Sequence, residues 1–138
     1  MWCRKEEHAM DKEYAKKVIF DNCYGRYGSL VDSLYNDGIF SNEKFWDYHN
    51  SIVTLAALRS EEKTFELTMQ INMSYQRILK EFLWHFDPND IAHFDGFPKN
   101  YTDYIERLDF AVLAYFNGDL SLVSDERFEL MEESLKGV

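Results

Sequence analysis

The amino-acid sequence predicts an all-α protein. Apolar residues recur three or four positions apart through most of the chain, which is the spacing of one face of a helix. The 138 residues include only 6 Gly and 2 Pro, so few positions interrupt regular structure, and 46% hydrophobic residues supply ample core material. We therefore expect residues 1–138 to form a single compact domain of about five to six helices.

The first two helices are predicted from helix-forming residues followed by glycine breaks. Residues 5–20 carry apolar side chains every four positions from Met10 to Val18, with charged residues on the other side. This helix should end near Asn22, because "YGRYGS" follows with two glycines. Ser29 then begins a short second helix, which the Asn-Asp-Gly of "LVDSLYNDG" ends.

Two capping signals predict the third helix and a long fourth helix. Ser41 is placed to cap the third helix, which should run to about Arg59. Ser60 repeats this signal and begins a helix over 61–86 that Pro88 ends. The apolar side of the third helix consists of Phe45, Tyr48, Ile52, Leu55 and Ala56.

The helix near 61–86 carries apolar residues on more than one side. Its main stripe follows the pattern of Phe65, Met69, Met73, Gln76, Leu79 and Leu83, in which all residues except Gln76 are apolar. That stripe is flanked by Leu67, Ile71, Tyr75, Ile78 and Phe82. Residues 66–75 also alternate apolar and polar side chains, so a short strand there remains open as an alternative.

Two further helices complete the prediction. A helix beginning at Asn100 or Thr102 should end at the Asn117-Gly118 pair. Its apolar face consists of Tyr104, Leu108, Ala111, Val112 and Tyr115. Ser124 caps a last helix, whose stripe is Phe128, Met131 and Leu135.

Composition restricts the location and the class of partner. Cys3 and Cys23 are too few for a disulfide framework and indicate free thiols in a reducing cytosol. The first ten residues include Arg4, Lys5, Glu6 and Glu7, where a signal peptide would be apolar, and no run approaches the ~18 apolar residues of a membrane span. A net charge of -10 disfavours direct nucleic-acid binding. We expect a cytoplasmic protein without membrane contact that prefers cationic partners.

The segment "LWHFDPNDIAHFDGFP", residues 83–98, concentrates side chains that could bind a metal. The candidates are His85, Asp87, Asp90, His93 and Asp95, but the two histidines lie eight residues apart across a proline, a spacing that matches no known ligand motif. A turn whose aromatic residues cover the end of the core is the favoured interpretation. The chain also lacks a G-x-S-x-G motif, a phosphate-binding glycine loop and Cys-x-x-Cys. We predict no metal, no cofactor, no catalytic residue and no enzymatic activity.

Charge is distributed unevenly along the sequence. Residues 1–80 contain eleven Lys and Arg against twelve Asp and Glu, whereas residues 81–138 contain four against thirteen. The acidic residues of the predicted helices fall on outward faces: Asp103 and Glu106 on one helix, and Glu126, Glu129 and Glu133 on the last. Phe110 and Leu113 share the outward side of the first of these helices, so that helix is either buried on two sides or forms an interface.

Two interpretations of the acidic surface remain. Net negative charge can serve solubility alone. Alternatively, an acidic helix face with a few apolar anchors can recognise a basic protein, because opposite potentials steer association and carboxylates can mimic the phosphates that a nucleic-acid enzyme binds.

The sequence resembles the small, acidic, mostly helical immunity proteins of bacterial contact-dependent growth inhibition and related polymorphic toxin systems. The stretches "SLYNDGIFSNEKFWDYHNSI" and "DGFPKNYTDYIERLDF" carry the resemblance, together with size and acidity. These proteins share no motif, so no functional residue can be transferred by position. The resemblance implies one role, the neutralisation of a cognate toxin domain, often a nuclease.

We therefore predict an immunity protein that covers the active site or substrate-binding surface of a basic nuclease toxin with an acidic helical face. The predicted partner-binding residues are Asp87, Asp90, Asp95, Tyr101, Asp103, Glu106, Phe110, Glu126, Glu129 and Glu133. The oligomeric state stays open. The alternatives are a helical regulator or adaptor without a toxin partner, and a small metal-dependent enzyme centred on His85 and His93.

Overall fold

A computed structural model describes residues 10–89 and 93–123. These residues form five helical segments, which we label α1 to α5. They are α1 (Lys12–Cys23), α2 (Leu30–Asp32, continued by a π-helical turn over Ser33–Asp37), α3 (Asn42–Ala56), α4 (Phe65–Phe86) and α5 (Tyr101–Asn117). Short 3-10 turns lie at Ser60–Glu62 and Leu120–Val123. The all-α prediction is confirmed, and the last helix predicted after Ser124 lies outside the described residues.

Several helix ends lie where the sequence places them. The hydroxyls of Ser29 and Ser41 each accept the backbone N–H three residues further on, at 3.1 Å. Gly38 and Gly118 end α2 and α5 in the left-handed conformation, with φ of 65° and 76°. These local signals act within one turn of helix and therefore need no tertiary contact to be effective.

The start of α4 differs from the prediction. Ser60 lies in the 3-10 turn, and α4 begins five residues later at Phe65. Thr64 provides the cap, since its hydroxyl accepts the N–H of Leu67 at 3.1 Å. The third helix also ends earlier than expected, at Ala56 rather than near Arg59. Residues 66–75, where a strand was an alternative, lie inside α4.

The helices pack around one apolar cluster. α3 contacts α1 on one side and α5 on the other, and α4 packs against α1. The predicted apolar faces of α3 and α5 are buried as expected. α4 and α5 are joined mainly by side chains: the Tyr75 hydroxyl donates to Asp109 at 3.2 Å, and Thr68 lies 2.9 Å from the Tyr115 hydroxyl.

The buried side of α4 is the flanking stripe and not the predicted main stripe. Phe65, Met73 and Leu83 of the main stripe are 83%, 48% and 69% exposed. The buried residues of this helix include Leu67, Ile71, Ile78 and Phe82. When a helix has apolar residues on two sides, their spacing alone does not predict which side is buried. In α4 the packing of α1, α2 and α5 decides this.

Candidate protein-interaction surface

Stacked aromatic rings hold the connection between α4 and α5 around His85. The imidazole lies 4.1 Å from the Phe97 ring at an interplanar angle of 19°. Its Nδ1 accepts the backbone N–H of Phe94 at 3.0 Å, so the neutral ring carries its proton on Nε2. Burial, and secondarily the nearby His93, lower the pKa of His85. The neutral form of this side chain therefore stabilises the turn.

His93 takes part in the same turn. Its Nδ1 lies 2.9 Å from the carbonyl oxygen of His85, so it donates a hydrogen bond there. The Nδ1 atoms of both histidines thus form hydrogen bonds with backbone groups at this connection. Residues 10–89 and 93–123 contain no cluster of three or more His, Cys, Asp or Glu side chains that could hold a metal ion.

The same connection is joined to the segment between α2 and α3. Ile39 and Asp95 form an isolated parallel bridge, in which Phe40 N–H donates to the Asp95 carbonyl and Asp95 N–H donates to the Gly38 carbonyl, each at 2.9 Å. Gly96 follows with φ of 77°, and a Cβ there would lie 3.3 Å from the carbonyl oxygen of Phe40. The bridge fixes where Asp95 emerges at the surface.

A partly exposed aromatic pair lies at the corner where α4 ends and α5 begins. The rings of Phe86 and Tyr101 are 4.7 Å apart, and Phe86 is half exposed. Asp87 follows Phe86 directly and is exposed, and Glu106 is exposed on the adjoining helix. We call Phe86, Asp87, Tyr101 and Glu106 the acidic corner.

A further carboxylate, Asp109, lies on α5 three residues beyond Glu106. It accepts the hydrogen bond from Tyr75 noted above, and the pKa of Tyr75 is raised to about 12 by burial and by the charges of Asp109 and Glu106. The phenol therefore stays protonated and continues to donate to Asp109 at neutral pH. This contact fixes one carboxylate at the edge of the surface.

The predicted partner-binding residues fall into three groups. Asp87, Asp95 and Glu106 are exposed. Tyr101, Asp103 and Phe110 are half-buried, so α5 is covered in part on the side where Phe110 lies. Asp90, Glu126, Glu129 and Glu133 lie outside the described residues.

The described residues after α4 are strongly acidic at the surface. They contain six carboxylates: Asp87, Asp95, Asp103, Glu106, Asp109 and Asp119. The two basic residues in the same ranges are Lys99, which is exposed, and Arg107, which is fully buried. Acidic residues therefore outnumber basic ones by six to two in this part of the chain.

Two buried polar residues were not predicted from the sequence. Arg107 is fully buried with its guanidinium 4.5 Å from the centre of the Trp46 ring. His49 is also fully buried, and its Nδ1 lies 2.9 Å from the amide oxygen of Asn50. Burial lowers the pKa of His49 to about 3, and the charge of Arg107 acts in the same direction. Arg107 lies three positions after Tyr104 and His49 four positions after Phe45, so each shares a helix face with a core residue. This spacing could have predicted that both are buried.

A groove of about 510 Å³ beside α2 and α4 is a second surface feature. Arg77 lies between two of its rings, 5.0 Å from the centre of Tyr35 and 6.0 Å from that of Trp84. Its Nε forms an ion pair at 2.8 Å with Glu81, which is almost fully buried. Burial raises the pKa of Cys23 at the edge of this groove, which opposes formation of a reactive thiolate. The groove therefore lacks an activated nucleophile at Cys23.

Comparisons with protein-family models, with curated proteins and with solved structures find no match to this chain. In residues 10–89 and 93–123, no helix has the length and apolar character needed to cross a membrane.

Proposed function

We propose that this chain is an immunity protein that binds and neutralises a basic toxin domain, a nuclease, through the acidic corner. The observation that carries the proposal is the partly exposed Phe86–Tyr101 ring pair, with exposed Asp87 next to it in the chain and exposed Glu106 further along α5. A surface of this kind offers both charge and apolar area to one partner. The resemblance to immunity proteins supplies the biological role.

Charge supports a basic partner. Six carboxylates and one exposed lysine in the described residues after α4 create a negative potential on one part of the molecule. Such a potential raises association rates with a cationic protein and disfavours acidic partners. A nuclease must present a cationic cleft to its phosphate substrate, and carboxylates can occupy that cleft in place of phosphates.

The aromatic pair supports a specific interface in addition to electrostatic attraction. Tyrosine and other aromatic residues provide much of the binding energy at protein interfaces, because they bury large area with few rotatable bonds. Phe86 and Tyr101 already contact each other at 4.7 Å, so little side-chain freedom remains to be lost on binding. We expect them to be the anchors and the carboxylates to form the charged rim.

This mode of inhibition requires no chemistry from the chain. Covering the toxin's active site or substrate-binding surface blocks access of nucleic acid, and no cofactor or catalytic group is needed. The protein would act in the cytoplasm of the cell that carries it, where an incoming nuclease domain would reach its substrate.

Co-expression tests the proposal directly. On this proposal, a gene beside that of the chain encodes a secreted protein with a C-terminal toxin domain, and the chain is produced in a bacterial host together with that domain. We expect growth to be restored and the two proteins to co-purify. Continued growth arrest with the chain present in soluble form would reject the immunity role and leave an adaptor as the function.

A charge-reversal variant tests the surface. Asp87→Lys combined with Glu106→Lys should weaken toxin binding by about 100-fold at low salt and reduce the salt dependence of the dissociation constant. Reversing two exposed acids near the other end of α4, Glu61→Lys with Glu13→Lys, changes net charge equally and is the matched control. Equal loss of affinity in both variants would show that net charge alone, and not the acidic corner, is responsible.

A further inference from the structure

The outer face of α4 carries apolar residues toward both ends and two exposed amides, Asn72 and Gln76, near its middle. Phe65, Met69, Met73, Leu79 and Leu83 lie on the side of the helix away from its buried stripe. Phe65 and Leu83, near the two ends, are the most exposed of these, whereas Met69 and Leu79 are half-buried. We call these five residues the outer α4 face. Exposed apolar side chains at both ends of one helix face, about 27 Å apart, are typical of an interaction site rather than of an isolated surface residue.

The segment of α4 that carries this face has no net charge, although the whole chain is acidic. Residues 65–83 carry two acids and two bases, in a chain whose net charge is -10. Glu81 is buried and paired with Arg77, so Glu66 and Lys80 are the charged residues that border the face. A second acidic copy of the chain would meet the least repulsion at this face.

The spacing of the face is symmetric about the level of Ser74. Phe65 and Leu83 are nine positions from Ser74, Met69 and Leu79 are five, and Asn72 and Gln76 are two. An antiparallel pair of identical helices related by a twofold axis brings residues at equal distances on opposite sides of that axis to the same level. This face is therefore complementary to itself.

We propose that the outer α4 face binds a second copy of this chain, with the two α4 helices antiparallel and the twofold axis at the level of Ser74. Phe65 of each copy then packs beside Leu83 of the other, and Asn72 of each copy lies level with Gln76 of the other near the axis. The inference goes beyond the proposed function and uses no residue of the acidic corner.

The two bordering charges fit this arrangement. Glu66 and Lys80 are exposed and lie on opposite sides of Ser74, eight and six positions away. In the antiparallel pair, Lys80 of one copy comes within reach of Glu66 of the other, and the twofold axis repeats the contact. Neither residue forms an ion pair within the described part of its own chain.

The size of the face sets the strength of the dimer. α4 has 22 residues, and two helices about 33 Å long bury on the order of 1,000 Å² between them. That area lies at the lower limit of specific interfaces. We expect a dissociation constant on the order of 10–100 µM rather than an obligate dimer.

Sedimentation velocity on the full chain, from about 1 µM to about 500 µM, tests the inference. The wild type should pass from monomer to dimer over this range. Phe65→Glu and Leu83→Glu should each raise the dissociation constant at least about 30-fold, because each variant buries a carboxylate in the interface twice. Tyr27→Glu is the matched control, since Tyr27 is 96% exposed in the α1–α2 loop, and it should leave the constant unchanged.

A charge swap tests the antiparallel register. Glu66→Lys or Lys80→Glu alone should raise the dissociation constant of the dimer by about tenfold, because each creates two like-charge contacts. In the double variant the charges are again opposite, and the constant should return to within about threefold of the wild-type value. Circular dichroism verifies that each variant stays folded. A chain that remains monomeric at about 500 µM, or a dimer insensitive to Phe65→Glu and Leu83→Glu, would overturn the proposal.

Discussion

Acid should destabilise this protein through His49. The side chain is fully buried and its pKa in the fold is about 3, whereas an exposed histidine has a pKa near 6.5. The unfolded chain therefore binds a proton that the folded chain excludes. The contribution of His49 to stability is complete above pH 6.5 and is lost as the pH falls toward 3, at about 1.4 kcal/mol per pH unit. At pH 4.5 the loss amounts to about 2.7 kcal/mol.

A comparison of wild type with His49→Gln isolates this effect. Urea unfolding of both proteins between pH 7.5 and 4.5 gives two curves of unfolding free energy, and the titration of carboxylates is common to both. The unfolding free energy of the wild type should fall by about 2.7 kcal/mol more than that of the variant across this range. A difference that stays constant with pH would refute the argument, as would nuclear magnetic resonance shifts showing His49 protonated in the folded protein at pH 5.

Two further predictions concern local geometry. Gly96→Ala should lower the unfolding free energy by about 2 kcal/mol, because alanine disfavours the left-handed φ and its Cβ would lie 3.3 Å from the Phe40 oxygen. Gly118→Ala should lower it by only about 1 kcal/mol, because no atom lies within 4 Å of the added Cβ. Urea titration of both variants measures the difference. Thr64→Ala should cost about 1 kcal/mol through loss of the α4 cap, whereas Ser60→Ala should cost less than about 0.5 kcal/mol; equal losses in thermal melts would contradict the assignment of the cap.

The sequence predicted well those features that local interactions decide. The caps at Ser29 and Ser41 and the glycine ends at Gly38 and Gly118 depend on hydrogen bonds within one turn. The apolar face of α5 was also correct, since all five of its predicted residues are buried.

The sequence could not decide features that depend on neighbours. α4 carries two apolar stripes, and which one is buried follows from the placement of α1, α2 and α5 against it. The predicted start at Ser60 was wrong because two cap-competent hydroxyls lie four residues apart, and packing selects Thr64. No role was predicted for Arg107, which lies on the buried side of α5 over Trp46.

The candidate site was predicted in part. The sequence located the acidic segment and named Asp87, Tyr101 and Glu106, but it could not pair Tyr101 with Phe86, because that contact depends on how the connection between α4 and α5 turns. His85 was interpreted as a surface or capping group. In the structure it does accept a backbone hydrogen bond, and its stacking on Phe97 also organises the turn.

The Ile39–Asp95 bridge bears on the order in which the chain folds. The two residues are fifty-six positions apart, so the loop that their contact closes includes all of α3 and α4. Helices form from neighbouring residues within microseconds, whereas a contact of this sequence separation must overcome a large loss of chain entropy. We expect the α4–α5 connection to become ordered only after α3 and α4 have packed against α1. Substitutions in the bridge should then accelerate unfolding more than they slow folding.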